Sequence, residues 1–522
     1  MPSPRHADLL QALRAVLGDE AVREPRADAP LTEHLQDWRG RYHGRALAVI
    51  SPADTASVAA AVKLCRAHGV SIVPQGGNTS LVGGSVPDTS GQQIVLSLKR
   101  LNRVLAVDAD NLSMTAQAGC TLADVQQAAT RSGLLFPLSL ASEGSCTLGG
   151  VLATNAGGTQ VLRYGTAREL CLGLEVVTAQ GEIWSLLKGL RKDNTGYDLR
   201  HLLIGSEGTL GIITAASLKL YPAPKGCATA LVPCADPAAA VALLREARQA
   251  LDAGLTACEL MAPLPLSLVH THLPDVVKAL GGLPLPTTRT LCGDSPWWLL
   301  LEAVSPRSDA DAQECLASVL MQASGAESQT ADGGHAARLV ESAQAGAETG
   351  AGAPQASSAS LSQSLSQRAA MWRLREAIPM AEKIAGRMVK HDIGLPTSRI
   401  PDFIAQVEAA LRQRWPGSAV VCFGHLGDGN LHFNVQPPVE LAHGDAFEAL
   451  ELAANTLVFD AVQALGGTIS AEHGIGELRK HELAARHPEA ALAAMRAIKQ
   501  ALDPEGVLNP GRVLHQAGQE AP

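Results

Sequence analysis

The sequence predicts an α+β protein of two or three domains, and three observations carry that reading. The chain has 522 residues, 46% of them hydrophobic, which is enough material for more than one core. Strand-length and helix-length stretches alternate through the first half, interrupted by three glycine-rich tracts. The second half mixes both kinds of segment around one sharply punctuated hairpin pattern, VVCFGHLGDGNLHFNVQ, from Val420 to Gln436.

Composition excludes several classes. A formal net charge of -9, with no basic tract interleaved with aromatics, argues against nucleic acid as a partner. An anionic substrate would need a local basic pocket. The 10 cysteines contain no CxxC pair, which fits reduced thiols in a cytosolic protein rather than a disulfide framework. No apolar run approaches the roughly 18 residues of a membrane span, and the N-terminus has no signal-peptide pattern. The expected location is the cytoplasm, compatible with peripheral attachment to the inner membrane.

Residues 1–40 read as a helical leader, with Leu9, Leu10, Leu13, Val16 and Leu17 on one stripe. A strand is expected at Arg45–Ile50, then a helix through His68 that opens at Ser51-Pro52-Ala53-Asp54. A strand at Ser71–Val73 runs into the first glycine tract, Pro74 to Ser85, whose backbone N–H groups could surround a phosphate because glycine accepts φ > 0. No G-x-G-x-x-G opens a helix there, so a nicotinamide fingerprint is disfavoured. Strands at Ile94–Leu98 and Ser113–Ala118 and a helix at Leu122–Arg131 lead to the second tract, Ser142 to Gly158. The third is Ile204 to Thr214. Three such tracts imply backbone packed closely against a large flat ligand. A helix at Pro237–Ala253 and a strand at Trp297–Val304 follow. From Gln322 to Gln367 the chain turns rich in Ala, Ser, Gly and Gln, which reads as a mobile surface insertion without chemistry.

The hairpin carries the first sign of chemistry. With Asp428-Gly429 as central turn residues, His425 faces His432 and Asn434 points to the same side. Opposed Cβ atoms then lie roughly 4.5 to 5.5 Å apart, within reach of one ion. Glu472 and His473, on the glycine-flanked turn Gly466 to Gly476, could complete a His, His, Glu set suited to zinc or another divalent first-row metal. Spacing alone is equally compatible with half-buried, hydrogen-bonded histidines.

Longer motifs carry a resemblance. PQGGNTSLVGGS, GSCTLGGVLATNAGG, YGTARELCLGLEVVTAQGE, DNTGYDLRHLLIGSEGTLGIIT, GHLGDGNLHFN, SAEHGIG and DPEGVLNPGR occur in order from about Arg41 to Arg512. Together they resemble the FAD-linked oxidases of the VAO/PCMH type, and within them the FAD-dependent D-2-hydroxyglutarate and D-lactate dehydrogenases. The resemblance implies a two-part, PCMH-type FAD-binding domain at 41–222 and an α+β substrate cap at 223–465. It also implies a C-terminal helical segment at 466–522 that returns to the flavin.

It further implies flavin contacts from Gly76, Gly77, Asn78, Thr79, Gly84, Ser85, Ser142, Gly144, Thr147, Gly150, Asn155, Gly211, Ile213 and Asn509. No histidine lies between Pro74 and Ser85, so the FAD is expected to be held non-covalently. Arg375 and Lys390 are implied as holders of substrate carboxylate, with Asn434 adding a hydrogen bond. His425, His432 and Glu472 are the expected metal ligands, and His473 is the expected base and a substrate contact, with the orienting of a neighbouring metal ligand as its alternative role. The expected reaction is oxidation of a D-2-hydroxy acid, D-2-hydroxyglutarate first, by hydride transfer to flavin N5.

Ile378-Pro379-Met380 stands where relatives acting on hydroxyglutarate can carry a hydroxyl residue, which keeps D-lactate as an alternative. A metal-dependent hydrolase and a flavin-binding electron-transfer or assembly subunit are readings from other classes. The expected partners are the hydroxy acid and an electron acceptor such as an electron-transfer flavoprotein or a quinone, with room for a homodimer.

Overall fold

The computed structural model describes residues 4–281, 296–325 and 359–515. Two compact units divide the chain. One comprises Met1–Gly158, Tyr164–Ala223 and Glu472–Pro522, and the other Thr159–Arg163 and Pro224–Ala471.

The first unit holds two larger sheets of different character. In one, Ala46–Ile50, Gln93–Ser97 and Ile72–Gln75 run parallel, with Val22–Arg23 added antiparallel at the edge. These parallel strands are short apolar runs because helices cover them. One is Thr55–Ala67, started by Asp54, whose side chain accepts the Ser57 N–H at 2.8 Å. The leader helix Pro4–Leu17 joins the same core through Leu9, Leu10 and Leu13, whereas Val16 stays exposed.

The second sheet is antiparallel throughout, in the order Val104–Asp108, Ser113–Gln117, Ile212–Lys219, Cys171–Val177, Ile183–Ser185. The C-terminal run returns to the parallel sheet. Ile72 donates its N–H to the Val507 carbonyl at 2.7 Å, and Asn509 donates to the Ile72 carbonyl at 2.8 Å.

The second unit is built on one antiparallel sheet. Its order is Ser360–Leu361, Gly226–Cys234, Trp297–Ser305, Leu255–Met261, Ala419–His425, Asn430–Gln436, Asp392–Gly394. One face buries Leu260, Leu299, Cys422, Leu431 and Phe433 among the helices Pro237–Leu251, Asp309–Gly325, Ile400–Arg414 and Gly444–Ala464. The other face carries Met261, Leu300 and Phe423 under the helices Pro263–His272 and Leu365–Ala385. Most of the insertion expected from 322 to 367 lies outside the described residues.

The hairpin register differs from the sequence expectation. Phe423, not His425, pairs with His432, and the connection is the four residues Leu426 to Gly429. Two forces lengthen the loop. Leu426 is fully buried in the apolar cluster, and the Asp428 and Gly429 N–H groups both turn back to the His425 carbonyl, at 3.2 and 3.1 Å. Gly429 has φ 86°, and a Cβ there would lie 2.1 Å from the Leu395 carbonyl oxygen, so only glycine fits. The shift is two residues, and because side chains alternate with period two, both histidines keep the same face.

Candidate functional site

In the sheet unit, the face under the helices Pro263–His272 and Leu365–Ala385 concentrates polar groups that an apolar core would reject. Glu259 pairs directly with His425 across neighbouring strands, and its carboxylate accepts the His425 Nδ1–H at 2.6 Å. A carboxylate only accepts, so Nδ1 carries a proton and Nε2 is the nitrogen left to present a lone pair whenever the ring is neutral. The same carboxylate accepts Arg375 Nε–H at 2.8 Å. Burial alone would raise the Glu259 carboxyl, but His425 and Arg375 outweigh it and hold it at about 2.

Arg375 is itself buried, with its guanidinium carbon 4.7 Å from the centre of the Phe423 ring. Among the described residues its two terminal Nη groups have no protein hydrogen-bond partner, which leaves the planar fork available for a carboxylate. A solvated helix face is therefore excluded for this arginine.

His432 lies one row along. Its ring centre is 4.9 Å from that of Phe423 and 6.0 Å from that of His425. It pairs with Asp392, which is buried and accepts Asn430 Nδ2–H at 2.8 Å.

Two turns along the covering helix from Arg375, buried Glu382 accepts Lys390 Nζ–H at 2.7 Å and Asn434 Nδ2–H at 2.6 Å. Asn434 Oδ1 accepts the His391 N–H at 3.2 Å, so both ends of this amide already have protein partners. Asn434 thus braces Lys390 through Glu382. The chain leaves this unit at Ala471, whose N–H donates to the Asp392 carbonyl at 3.3 Å. Glu472 and His473 are the next two residues.

Glu259 and Glu382 were missed by sequence reasoning. A single acid inside the otherwise apolar strand LTACELM was the signal for the first. The second sits on an amphipathic helix, where nothing in the sequence separates a buried acid from a solvated one.

The other unit assembles the glycine tracts. The first meets the second: a Cβ on Gly76 would lie 2.3 Å from Thr147 Oγ1, and one on Gly77 would lie 2.2 Å from the Ser145 carbonyl oxygen. Asn78, at φ 58°, is held by the Glu33 and Gln36 carbonyls and accepts the Ser85 hydroxyl at 2.8 Å. Thr79 follows in the same loop. Thr147 and Gly150 lie at the start of the helix Leu148–Ala153, with Ser142 and Gly144 in the turn before it.

The third tract joins through Glu207, whose N–H donates to the Ala153 carbonyl at 2.8 Å. Asn155 Oδ1 accepts from Thr166 and Arg168. A Cβ on Gly211 would press on Val176 and Leu203, and the Ile213 side chain is in the core, so these two could meet a ligand only through backbone.

Asn509 Nδ2 donates to the Gly84 and Glu207 carbonyls, both at 2.9 Å. Among the described residues, buried Thr147 Oγ1 and Asn509 Oδ1 have no hydrogen-bond partner. Two unpaired buried oxygens beside closely apposed glycine loops suit a ligand rich in polar atoms, as FAD is.

Glu207 had no role in the sequence reading. Its carboxylate accepts the Ile475 and Gly476 N–H groups at 2.7 and 2.9 Å. Burial pushes its carboxyl from the ordinary 4.5 up to about 7, against the pull of those two donors. An acid raised in the folded state contributes stability that is whole below the unfolded value and is lost as pH rises through the folded one. The melting temperature of the parent is therefore expected to fall relative to Glu207→Gln between pH 4.5 and pH 7. Parallel melting profiles in a thermal-shift titration would refute this.

Comparison with known proteins agrees with these features. Residues 46–187 match the FAD binding domain family, and residues 223–513 match the family of FAD linked oxidases, C-terminal domain. The chain is 36% identical over 527 aligned positions to a D-2-hydroxyglutarate dehydrogenase of Xanthomonas citri pv. viticola, covering 100% of both chains. It is 36% identical to the mitochondrial D-2-hydroxyglutarate dehydrogenase of Bos taurus, covering 97% of this chain and 83% of that one.

Two solved structures share the fold. Substrate-bound p-cresol methylhydroxylase has a TM-score of 0.72 at 16% identity, covering 98% of this chain and 97% of that one. An alkyldihydroxyacetonephosphate synthase has a TM-score of 0.71 at 17% identity, covering 98% and 86%. No helix among the described residues is long and apolar enough to cross a membrane. With an FAD-binding domain joined to the C-terminal domain that defines the group, this chain belongs to the FAD-linked oxidases and is an FAD-dependent oxidoreductase.

Proposed function

We propose that the chain oxidises a D-2-hydroxy acid, D-2-hydroxyglutarate foremost, to the 2-oxo acid. The glycine tracts with Thr147 and Asn509 would hold the flavin, which when bound would supply the hydride acceptor. A divalent ion, zinc by the donor set, held by His425, His432 and Glu472, would polarise the substrate hydroxyl and carboxylate.

The remaining work belongs to side chains. Arg375 takes a substrate carboxylate through its two Nη groups, with the guanidinium plane fixed by Glu259 and Phe423. Lys390, anchored by Glu382, adds a second cation. His473 receives the hydroxyl proton, because imidazole is the side chain most often used as a general base near neutral pH. Asn434 keeps Lys390 in place. The relatives named for D-2-hydroxyglutarate support this substrate class.

The observation that carries the reading is the Glu259 carboxylate shared by His425 and Arg375. Its hydrogen bond to Nδ1 leaves Nε2 as the atom of His425 that would bind an ion, the arrangement in which a carboxylate orients a metal-bound histidine through its other ring nitrogen. The same carboxylate aims the arginine fork.

The helix residues Ile378-Pro379-Met380 favour a second reading. Ile378 is fully buried among apolar side chains and Pro379 offers no donor, so a distal carboxylate finds no hydroxyl here. D-lactate or another D-2-hydroxy acid fits that feature.

Protein purified yellow is expected to bleach without air when D-2-hydroxyglutarate or D-lactate is added, and not with the L-enantiomers. Prior chelation is expected to slow bleaching about tenfold, with recovery on adding zinc. Flavin that stays oxidised with every D-acid in a panel would end this proposal. Equal response to both enantiomers would remove the fixed-substrate geometry.

A further inference from the structure

Glu207 holds an unusual position between the glycine tracts and the C-terminal run. It is a non-glycine residue at φ 52°, a left-handed conformation that costs backbone energy and is kept only where surrounding contacts compel it. Every polar part of it is used inside its own unit. The N–H donates to Ala153 and the carbonyl accepts from Asn509. The two carboxylate oxygens divide between Ile475 and Gly476.

Its neighbours are shaped to admit it. A Cβ on Gly474 would lie 2.7 Å from Glu207 Oε1, and one on Gly84 would lie 3.1 Å from Oε2. Adjacent N–H groups bound by the two oxygens of one carboxylate fix the backbone direction of a turn. That turn is the one carrying His473, two residues before Ile475.

We propose that Glu207 is a positioning residue, which through the Ile475 and Gly476 amides fixes the turn that presents His473 for proton transfer. This rests on the reading that His473 receives the substrate's hydroxyl proton. Glutamine would turn an amide donor toward one of the two N–H groups, and aspartate is one methylene too short to reach both. Either change should loosen the turn while leaving the glycine tracts intact.

The test uses flavin- and zinc-replete Glu207→Gln and Glu207→Asp proteins beside the parent, with two readouts. Hydrogen exchange should quicken about tenfold at one or both of the amides of residues 475 and 476 in each variant, reporting the lost acceptors. Anaerobic flavin reduction at saturating D-2-hydroxyglutarate, or D-lactate if the parent prefers it, should slow about tenfold. Half-saturation should move less than about threefold, because the carboxylate-binding arginine is untouched.

Unchanged exchange overturns the clamp whatever the activity. Faster exchange with reduction within about twofold of the parent overturns the link to His473. Slowing matched by loss of bound flavin overturns it too, in favour of a purely structural role. A parent that reduces with no D-2-hydroxy acid overturns the catalytic half along with the reaction it rests on, and the exchange result separates that failure from failure of the clamp.

Discussion

Replacing Arg375 with lysine is expected to lower kcat/KM for the preferred D-2-hydroxy acid about 10²-fold while the protein still folds. Lysine keeps a positive charge near Glu259, so the buried acid is not stranded. What disappears is geometry: one ammonium cannot both satisfy Glu259 and offer two parallel N–H bonds to a carboxylate. It also loses the flat stacking on Phe423. Steady-state kinetics together with a melting curve check this. A variant with parental kcat/KM would mean that the fork does not touch substrate. A loss seen only with a lowered melting temperature would mean that Arg375 serves the fold.

Glu259→Ala is expected to be the most damaging single change in the sheet unit. Removing one member of a buried ionic group costs about 3–5 kcal/mol, because Arg375 and His425 lose their shared acceptor where water does not replace it. Retention of the zinc ion proposed above should fall about 10–100-fold, since the His425 ring loses the bond that fixes its tautomer. Chemical denaturation measures the first effect, and metal content after dialysis measures the second. Glu259→Gln keeps the volume and separates the two. Its side-chain oxygen can still accept one of the bonds, so the fold should survive while metal retention drops. Parental stability and metal content in both variants would remove Glu259 from the argument.

The histidines, the DGN turn and the glycine tracts were legible in the sequence because each depends on local chemistry. The hairpin register was not. Asp-Gly announces a tight two-residue turn, yet Leu426 gains more by entering the apolar cluster than the shorter loop gains by closing early. The strand Leu255–Met261 was invisible for another reason: all seven residues are buried, so no alternation marks it.

With that strand hidden, Glu259 had no visible neighbour, and its partners stand 116 and 166 residues away in sequence. Long-range pairs of this kind leave no periodic trace. Glu382 could not be picked out because an acid on an amphipathic helix is usually solvated, and only its contacts with Lys390 and Asn434 distinguish it. Glu207 sat in plain view within Gly205-Ser206-Glu207-Gly208, but its partners come from residues 268 and 269 positions further on.

The order of strands in the large sheet has a consequence for synthesis. Leu255–Met261 gains its second neighbour only when Ala419–His425 arrives. Until the ribosome has delivered that later stretch, the nascent chain holds a nearly continuous apolar strand with one bare backbone edge and an ionised glutamate without its histidine. Such an edge invites pairing with other chains. Molecules that stall before residue 419 should therefore be captured by chaperones or lost to aggregation, and the yield of finished protein should depend on the pace of translation through the stretch between these two strands.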